Sequence, residues 1–393
     1  MKIGVFSYFP LPYGMAASTR QITYAKGMVH YGAKVELITI YPYNKEHNLV
    51  PSIPNLKIIQ LVQKREPVFR LIRVFHFVLS FYRSFLFIWR SNKNEKYDAM
   101  IISNDRIFIL GPITFFCKIL KIKTCFIFDE FPLPIRKYLK PRISLFQKFS
   151  YNIIFKRIDG LISMTDKLVV FYLNLSNQSI PYITLSTITD TDRFPLCINK
   201  EKSDYLCYMG NMELSKDNIL LILEAFSEVS TYYPNLILRL FGKPSNDDKE
   251  KLLLKISELN LENKITFEFA SFDEVPNILM NAKILVSSQP LTLRASGGFP
   301  TKLGEYLASG TPTLTTRIGE IDQYVTDKEH VFLVSPEDAN RYALNLIEIL
   351  ENYDQALTVS TQGKRLVFEK YSHLSAGKKI INFINKVNGK IKE

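Results

Sequence analysis

Between two β-prone stretches, Ile284-Leu285-Val286 and Thr313-Leu314-Thr315, the sequence reads Ser296-Gly297-Gly298-Phe299-Pro300-Thr301-Lys302-Leu303-Gly304-Glu305-Tyr306-Leu307-Ala308-Ser309-Gly310-Thr311-Pro312. Few folds accept that order. The paired glycines predict a tight turn whose backbone can come close to a ligand. Pro300 suits the first turn of a helix, where its missing N–H is no loss. Leu303, Tyr306 and Leu307 then share one helical face, and Gly310 with Pro312 closes the helix. The pattern is strand, glycine turn, helix, strand. N–H groups at such a helix start attract anions, which makes Gly297, Gly298, Phe299, Pro300 and Thr301 candidate binding positions. Lys302 adds a positive charge in the first turn. Glu305, one turn further on, is placed to take hydrogen bonds from ribose hydroxyls. An ordinary βαβ crossover with no ligand would use many of the same residues.

The same rhythm recurs along the chain. Lys2 to Ser7 reads as a buried strand, followed by a loop containing Gly14. A helix capped by Ser18 is expected to run to about Tyr31, with Gly32 ending it, and Lys34 to Ile40 is the next strand. The loop is not GxGxxG, so it is a weak dinucleotide signal. Gly14 and the N–H groups after it are candidates for a ligand phosphate; Arg20 assists or is simply solvated. Asp98 to Ser103 is a strand, Gly111-Pro112 opens a helix, and Thr124 to Phe128 is a strand ending at Asp129-Glu130. Carboxylates at the carboxyl end of a parallel strand stand where a doubly wound sheet binds ligands. Asp129 and Glu130 are therefore site candidates, with helix-capping acids as the plain alternative. Strands at Tyr205 to Met209, Leu236 to Phe241, Ile265 to Phe267 and Val331 to Val334 continue the alternation. Asp273 is expected to cap a helix ending near Asn281, and Pro336 to open another. The expectation is an α/β chain with parallel sheets.

The length of 393 residues accommodates two domains, and 47% hydrophobic residues supply both cores. The cysteines, Cys117, Cys125, Cys197 and Cys207, have no metal-binding spacing. Free thiols in a reducing cytoplasm are expected, and the first residues read as a strand with no signal-peptide core. The net charge of +12 raises nucleic acid as a partner, but no nucleic-acid-binding signature is present. An anionic membrane surface is the expected partner of that charge. Basic residues interleave with aromatics from Val68 to Arg90 and again over 136–157, where Arg136, Lys137, Lys140, Arg142, Lys148, Lys156 and Arg157 accompany Tyr138, Phe146, Phe149, Tyr151 and Phe155. Arg70, Arg73, His76 and Arg83 interrupt the first run, which argues against a membrane span. Two readings stay open: a helix lying in a bilayer surface, and aromatic core helices whose arginines snorkel. A lone His76 is more often structural than catalytic.

The glycine-rich run is similar to the signature of the retaining glycosyltransferases of family 4 (group 1), whose fold is GT-B. Gly298-Phe299-Pro300, Glu305 and Gly310-Thr311-Pro312 match; Gly297 stands where the family has a first Glu. Asp159-Gly160-Leu161-Ile162-Ser163 resembles the family's strand before its linker, and Asp190-Thr191-Asp192-Arg193-Phe194 resembles its step after the last strand of the first domain. After Gly210 the family has Arg and, five residues on, Lys; here Asn211 and Lys216 stand there. Phe269-Ala270-Ser271 stands where the family's backbone meets the nucleotide base, and Glu320 lies in an element resembling Gly-x-x-Glu.

The resemblance implies two Rossmann-like doubly wound domains facing across a cleft. Residues 1–190 would be an acceptor-binding domain and 191–370 a nucleotide-sugar-binding domain, with a hinge at about 186–204. Residues 371–393 would be a helix crossing back to the first domain. It implies sugar transfer with retention, no metal or other cofactor, a nucleotide sugar as donor and a glycan or lipid-linked acceptor. Catalytic roles would fall to Lys216, Lys302, Glu305, Asp129 and Glu130. The donor would be held at Gly14, Gly210, Asn211, Lys216 and Gly297 to Lys302, with Glu305, and Lys302 would compensate for the missing Arg at Asn211. The expected location is the cytoplasm, peripheral to the inner face of the plasma membrane. The rivals are a GT-B epimerase or phosphorylase, and a degenerate sugar-nucleotide binder or scaffold, motivated by Gly297 and Asn211. Sugar, base, acceptor and oligomeric state stay open.

Overall fold

The computed structural model describes residues 1–12, 16–41, 53–62, 69–132, 143–197 and 201–390. Gly14 and the basic residues Arg136, Lys137, Lys140 and Arg142, with Tyr138, lie outside these. The chain divides into two compact units, Met1–Ile188 with His373–Glu393, and Thr189–Ser372.

Unit 1 carries a seven-stranded parallel sheet in the order β3-β2-β1-β4-β5-β6-β7. The strands are β1 (Lys2–Ser7), β2 (Lys34–Thr39), β3 (Leu56–Gln60), β4 (Ala99–Ser103), β5 (Thr124–Phe128), β6 (Gly160–Ser163) and β7 (Tyr182–Thr184). Every residue of β1, β4, β5 and β6 is buried, as a parallel sheet covered on both faces requires. Successive residues point to opposite faces. Ile3 and Val5 join the core formed with Ile22 and Met28 of α1 (Ala16–His30) and Ile380 and Phe383 of α13 (His373–Val387). Phe6 faces the other way, its ring centroid 6.4 Å from Phe81 of α2 (Arg70–Asn94). Beside α2 on that face lie α3 (Ile107–Ile119), α4 (Leu145–Phe155) and α5 (Asp166–Ser176). Phe126 of β5 makes edge contacts there with Phe155 and Tyr172. The α1–α13 contact is very close: a Cβ on Gly27 would stand 1.8 Å from the His373 carbonyl oxygen, and one on Gly377 would stand 2.1 Å from the Gly27 carbonyl carbon.

Unit 2 repeats the plan with six parallel strands in the order β10-β9-β8-β11-β12-β13. They are β8 (Ser203–Met209), β9 (Ile237–Phe241), β10 (Ile265–Glu268), β11 (Ala282–Val286), β12 (Thr313–Thr316) and β13 (Phe332–Val334). Its helices are α6 (Ile219–Tyr232), α7 (Asn246–Glu258), α8 (Val275–Asn281), α9 (Leu293–Gly297), α10 (Lys302–Ser309), α11 (Ala339–Glu351) and α12 (Tyr353–Leu366). Leu206, Leu238, Ile284 and Leu314 of the sheet pack with Ile222 and Phe226 of α6 and Tyr342 and Leu346 of α11.

Several local expectations are corrected. Ser18 does not cap α1; it lies inside the helix, fully buried. Pro112 sits within α3, which begins at Ile107. It is the sixth residue of the helix, past the first turn, where a proline removes one backbone hydrogen bond of the helix. Asp273 does not cap α8, whose N-cap is Glu274; the Glu274 carboxylate accepts the Ser271 N–H at 2.8 Å. Asp338, not Pro336, caps α11 by accepting the Arg341 N–H at 2.8 Å.

Candidate functional site

The carboxyl ends of the unit 2 strands bring together most of the signature. β8 runs out at Met209 into Gly210, whose N–H donates to the Phe241 carbonyl at 2.9 Å, while the Gly242 N–H donates to the Glu268 carbonyl at 2.9 Å. Gly242 has φ +143°, and a Cβ there would stand 1.8 Å from the Gly210 oxygen. Only glycine fits that crossing. A Cβ on Gly210 would in turn stand 2.8 Å from the Lys302 Nζ.

Lys302 therefore lies directly over the end of β8. Its ammonium donates to Asp217 Oδ1 at 2.7 Å and to the Tyr208 hydroxyl at 3.0 Å, and sits 4.2 Å from the Tyr208 ring centroid. The two charged side chains are 16% and 6% exposed. Burial holds the Lys302 ammonium below the usual lysine range; the Asp217 carboxylate opposes that, and the positive charge of Lys216 adds to it. Lys302 does not enter as an isolated charge, because Asp217 already balances it. That qualifies the idea that it replaces an arginine at Asn211, which is exposed.

The glycine pair differs from its expected turn. Thr292 caps α9 by accepting the Ala295 N–H at 3.2 Å, and Gly297 is that helix's last residue. Gly298 is extended, with φ −98° and ψ −179°, and its N–H donates to the Ala295 carbonyl at 3.3 Å. Neither glycine has a positive φ, and the Gly298 N–H is taken within the chain, so the anion-facing backbone narrows to the start of α10. There Thr301 is the N-cap and makes no side-chain capping bond. Phe299 is 4% exposed and packs edge-on against Tyr324, and Pro300 is buried, so both support the loop. The Tyr306 hydroxyl accepts the Met209 N–H at 2.8 Å and so ties α10 to the end of β8.

Glu305 is 29% exposed and is held by Arg193 through Oε1. Arg193 also donates to the Phe272 carbonyl, and its guanidinium lies 3.7 Å from the Phe272 ring centroid. Nearby in sequence to the Lys216 turn, Glu213 pairs with Arg294 of α9 at 2.6 Å. Arg294 is thus a cation on the helix just ahead of the signature.

In unit 1, Asp129 follows β5 and lies 3.2 Å from Arg20 of α1. Arg20 is not a solvated helical arginine. It is 6% exposed and donates to the Ser186 and Leu185 carbonyls, each at 3.2 Å, and to Tyr24. Asp129 is thereby the counter-ion of a buried arginine, with Glu130 half-buried next to it.

Asp217, Tyr208, Arg193, Glu213 and Arg294 escaped the reading of the sequence. Asp217 is adjacent to Lys216 and Arg193 lies in a recognised motif, so both were within reach; pairings 85 and 112 residues apart leave no local pattern.

The two parallel-sheet, Rossmann-like domains are those of the GT-B glycosyltransferase fold, as expected. Residues 190–366, nearly all of unit 2, match the family model of the glycosyl transferases group 1. Sucrose-phosphate synthase from Thermosynechococcus elongatus is similar over 99% of this chain and 100% of its own, with TM-score 0.74 at 16% identity. A glycosyltransferase from Rickettsia africae covers 98% of each chain with TM-score 0.73 at 15% identity. Anabaena HepE, solved in complex with UDP, covers 98% of this chain and 100% of its own with TM-score 0.72 at 12% identity. No curated protein matches the sequence.

Proposed function

We propose that this chain is a retaining glycosyltransferase of the family 4 type. It moves a hexose-like sugar from a nucleoside diphosphate sugar to a hydroxyl of a lipid-linked or surface-polysaccharide glycan precursor. The observation that carries this reading is the seating of Lys302 and of the start of α10, which lacks a side-chain cap, over the glycine at the end of β8, with Lys216 in the turn that follows that strand. A diphosphate seated there meets two cations and a helix N-terminus, the groups that best hold its charge. Glu305, steadied by Arg193 through Oε1, keeps Oε2 for a ribose hydroxyl. HepE has been solved with UDP and with UDP-glucose, which makes UDP the first nucleoside diphosphate to test.

In the reaction the acceptor oxygen bonds to the anomeric carbon on the face the leaving group departs from. The bond from that carbon to the β-phosphate oxygen breaks, and this oxygen takes the acceptor proton. The products are the glycoside and the nucleoside diphosphate. Lys216 and Lys302 stabilise the growing negative charge, and no metal is assigned a part. Asp129 and Glu130 serve the acceptor side, Asp129 by setting Arg20. The test needs no acceptor: proton NMR of the sugar first released on donor hydrolysis, with and without EDTA. Release with the donor's anomeric configuration, unaffected by EDTA, is expected. Inversion overturns the retaining mechanism. Tight donor binding with no turnover, even with glycan acceptors, favours the degenerate binder that Gly297 and the neutralised Lys302 leave as the second reading.

A further inference from the structure

Helix α2 has two apolar stripes. Phe77, Phe81, Ser84 and Ile88 recur at helical spacing and face the sheet, with Ile88 fully buried and Phe81 against Phe6. On the opposite side Phe75, Val78, Tyr82 and Trp89 recur at the same spacing and are 64%, 61%, 63% and 46% exposed. The stripe continues on the neighbouring helices. Phe85 of α2 stacks on Phe116 of α3 at 4.4 Å, beside Phe108, Phe115 and Ile119, which stand out from α3. A Cβ on Gly111 of α3 would touch Ile154 of α4, where Leu145 and Phe149 stand out in turn. Soluble surfaces rarely carry so large an apolar patch without a partner.

The charges on the three helices that carry it have one sign. Helices α2, α3 and α4 contain no Asp or Glu; α2 has Arg73, Arg83, Arg90 and Lys93 besides Arg70, α3 has Lys118 and α4 has Lys148. Lys93 lies 5.6 Å from the Trp89 ring centroid and Arg157 lies 5.5 Å from that of Phe115, so cations border the aromatics directly. Two copies of this face would bring like charges together, which disfavours self-association. The residues Ile72–Asn94 are long and apolar enough to cross a membrane. Crossing would strip Phe81 and Ile88 from the sheet, so the helix can offer a bilayer only its outer stripe.

We propose that the α2–α3–α4 face of unit 1 docks in the plane of an anionic bilayer, with Phe75, Tyr82, Trp89, Phe115 and Phe149 entering the headgroup boundary and the arginines and lysines meeting lipid phosphates. The combination of interfacial aromatics and flanking cations is the one that holds peripheral helices at such surfaces. This inference stands apart from the sugar-transfer reading and is tested without substrate.

Trp89 is the only tryptophan in the chain, so its fluorescence reports from the face itself. The full-length protein is titrated with vesicles of phosphatidylcholine alone and with 30% phosphatidylglycerol (about one lipid in three anionic, a surface to which each nearby cation adds roughly fivefold in affinity). A blue shift and co-sedimentation on the anionic vesicles, weaker in high salt, are expected. Phe108→Ser/Phe115→Ser/Phe149→Ser should lose both with melting temperature kept, and Arg90→Glu/Lys118→Glu/Lys148→Glu should lose the preference for anionic lipid. An unshifted Trp89 on anionic vesicles overturns the proposal. So does binding that only detergent reverses, a dimer that shields Trp89 without lipid, or a Trp89 response to DNA and not to vesicles.

Discussion

Unit 1 and unit 2 lay the same kind of parallel sheet between helices, yet they place their charges on different surfaces. Unit 2 draws opposite charges together around its strand ends, as Lys302 with Asp217, Arg193 with Glu305 and Arg294 with Glu213. Its outer helices mix signs, as in α7 with Asp247, Asp248, Lys249, Glu250 and Lys251. Unit 1 buries Lys2 with Glu36 and Arg20 with Asp129, and lines α2, α3 and α4 with cations and aromatics and no acid. The scaffold leaves both choices open, because the packed faces of the helices fix the fold and the strand ends and outer faces remain free to specialise. On the readings proposed above, one unit would serve a small anion and the other an extended surface.

The sharpest way to break this comparison is at the buried pair. Lys302→Met leaves Asp217 charged and unpaired, and should destabilise unit 2 by about 3–5 kcal/mol in denaturant unfolding. Lys302→Met/Asp217→Leu should recover most of that stability while nucleotide binding stays weak. Recovery of both would make the pair merely structural. Next come the glycines at the two close approaches. Gly377→Ala in unit 1 and Gly242→Ala in unit 2 should each cost at least about 1–3 kcal/mol, since backbone atoms stand in the way of the new methyl group. Only the second should also impair nucleotide binding, read by calorimetry.

A smaller effect separates the units by pH. Burial, with Lys364 nearby, lowers the Lys202 ammonium of unit 2 from 10.5 to about 8. Below pH 8 folded and unfolded chains both hold the proton, and folding bears the whole desolvation penalty. Between pH 8 and 10.5 the unfolded chain holds more protons, so stability rises with pH. The rise should be about 1–2 kcal/mol after solvent screening, and Lys202→Met should flatten it in urea titrations across that range. Smallest of all, Phe115→Ser or Phe149→Ser should leave unfolding within about 0.5 kcal/mol of the parent. A large loss would mean that the outer face of unit 1 is packed and not presented.

The GT-B architecture was legible because strand runs and helical faces are local patterns, and both survive in the structure: β8 covers Ser203–Met209 and α10 covers Lys302–Ser309, as Leu303, Tyr306 and Leu307 imply. Helix starts were read less well. Ser18, Pro112, Asp273 and Pro336 are all good local signals, and in each case burial or a neighbouring residue decided otherwise. The glycine pair misled because Leu293 to Gly297 forms a short helix that Thr292 caps. For α2 the sequence left core and interface as alternatives; periodicity around the whole helix shows an inner stripe that is core and an outer one that is exposed. The partners of Lys302 and Glu305 were illegible because they come from distant segments joined only by the folded sheet.

The central claim, that unit 2 is built around a nucleoside diphosphate, is tested most directly by thermal-shift binding of UDP, GDP, ADP and CMP to the wild type and Lys216→Ala, with and without EDTA. One diphosphate at about 100 times its Kd should stabilise the wild type by about 2.7 kcal/mol, fail to stabilise Lys216→Ala, and be indifferent to EDTA. Equal response to all four, or to none, would contradict the account.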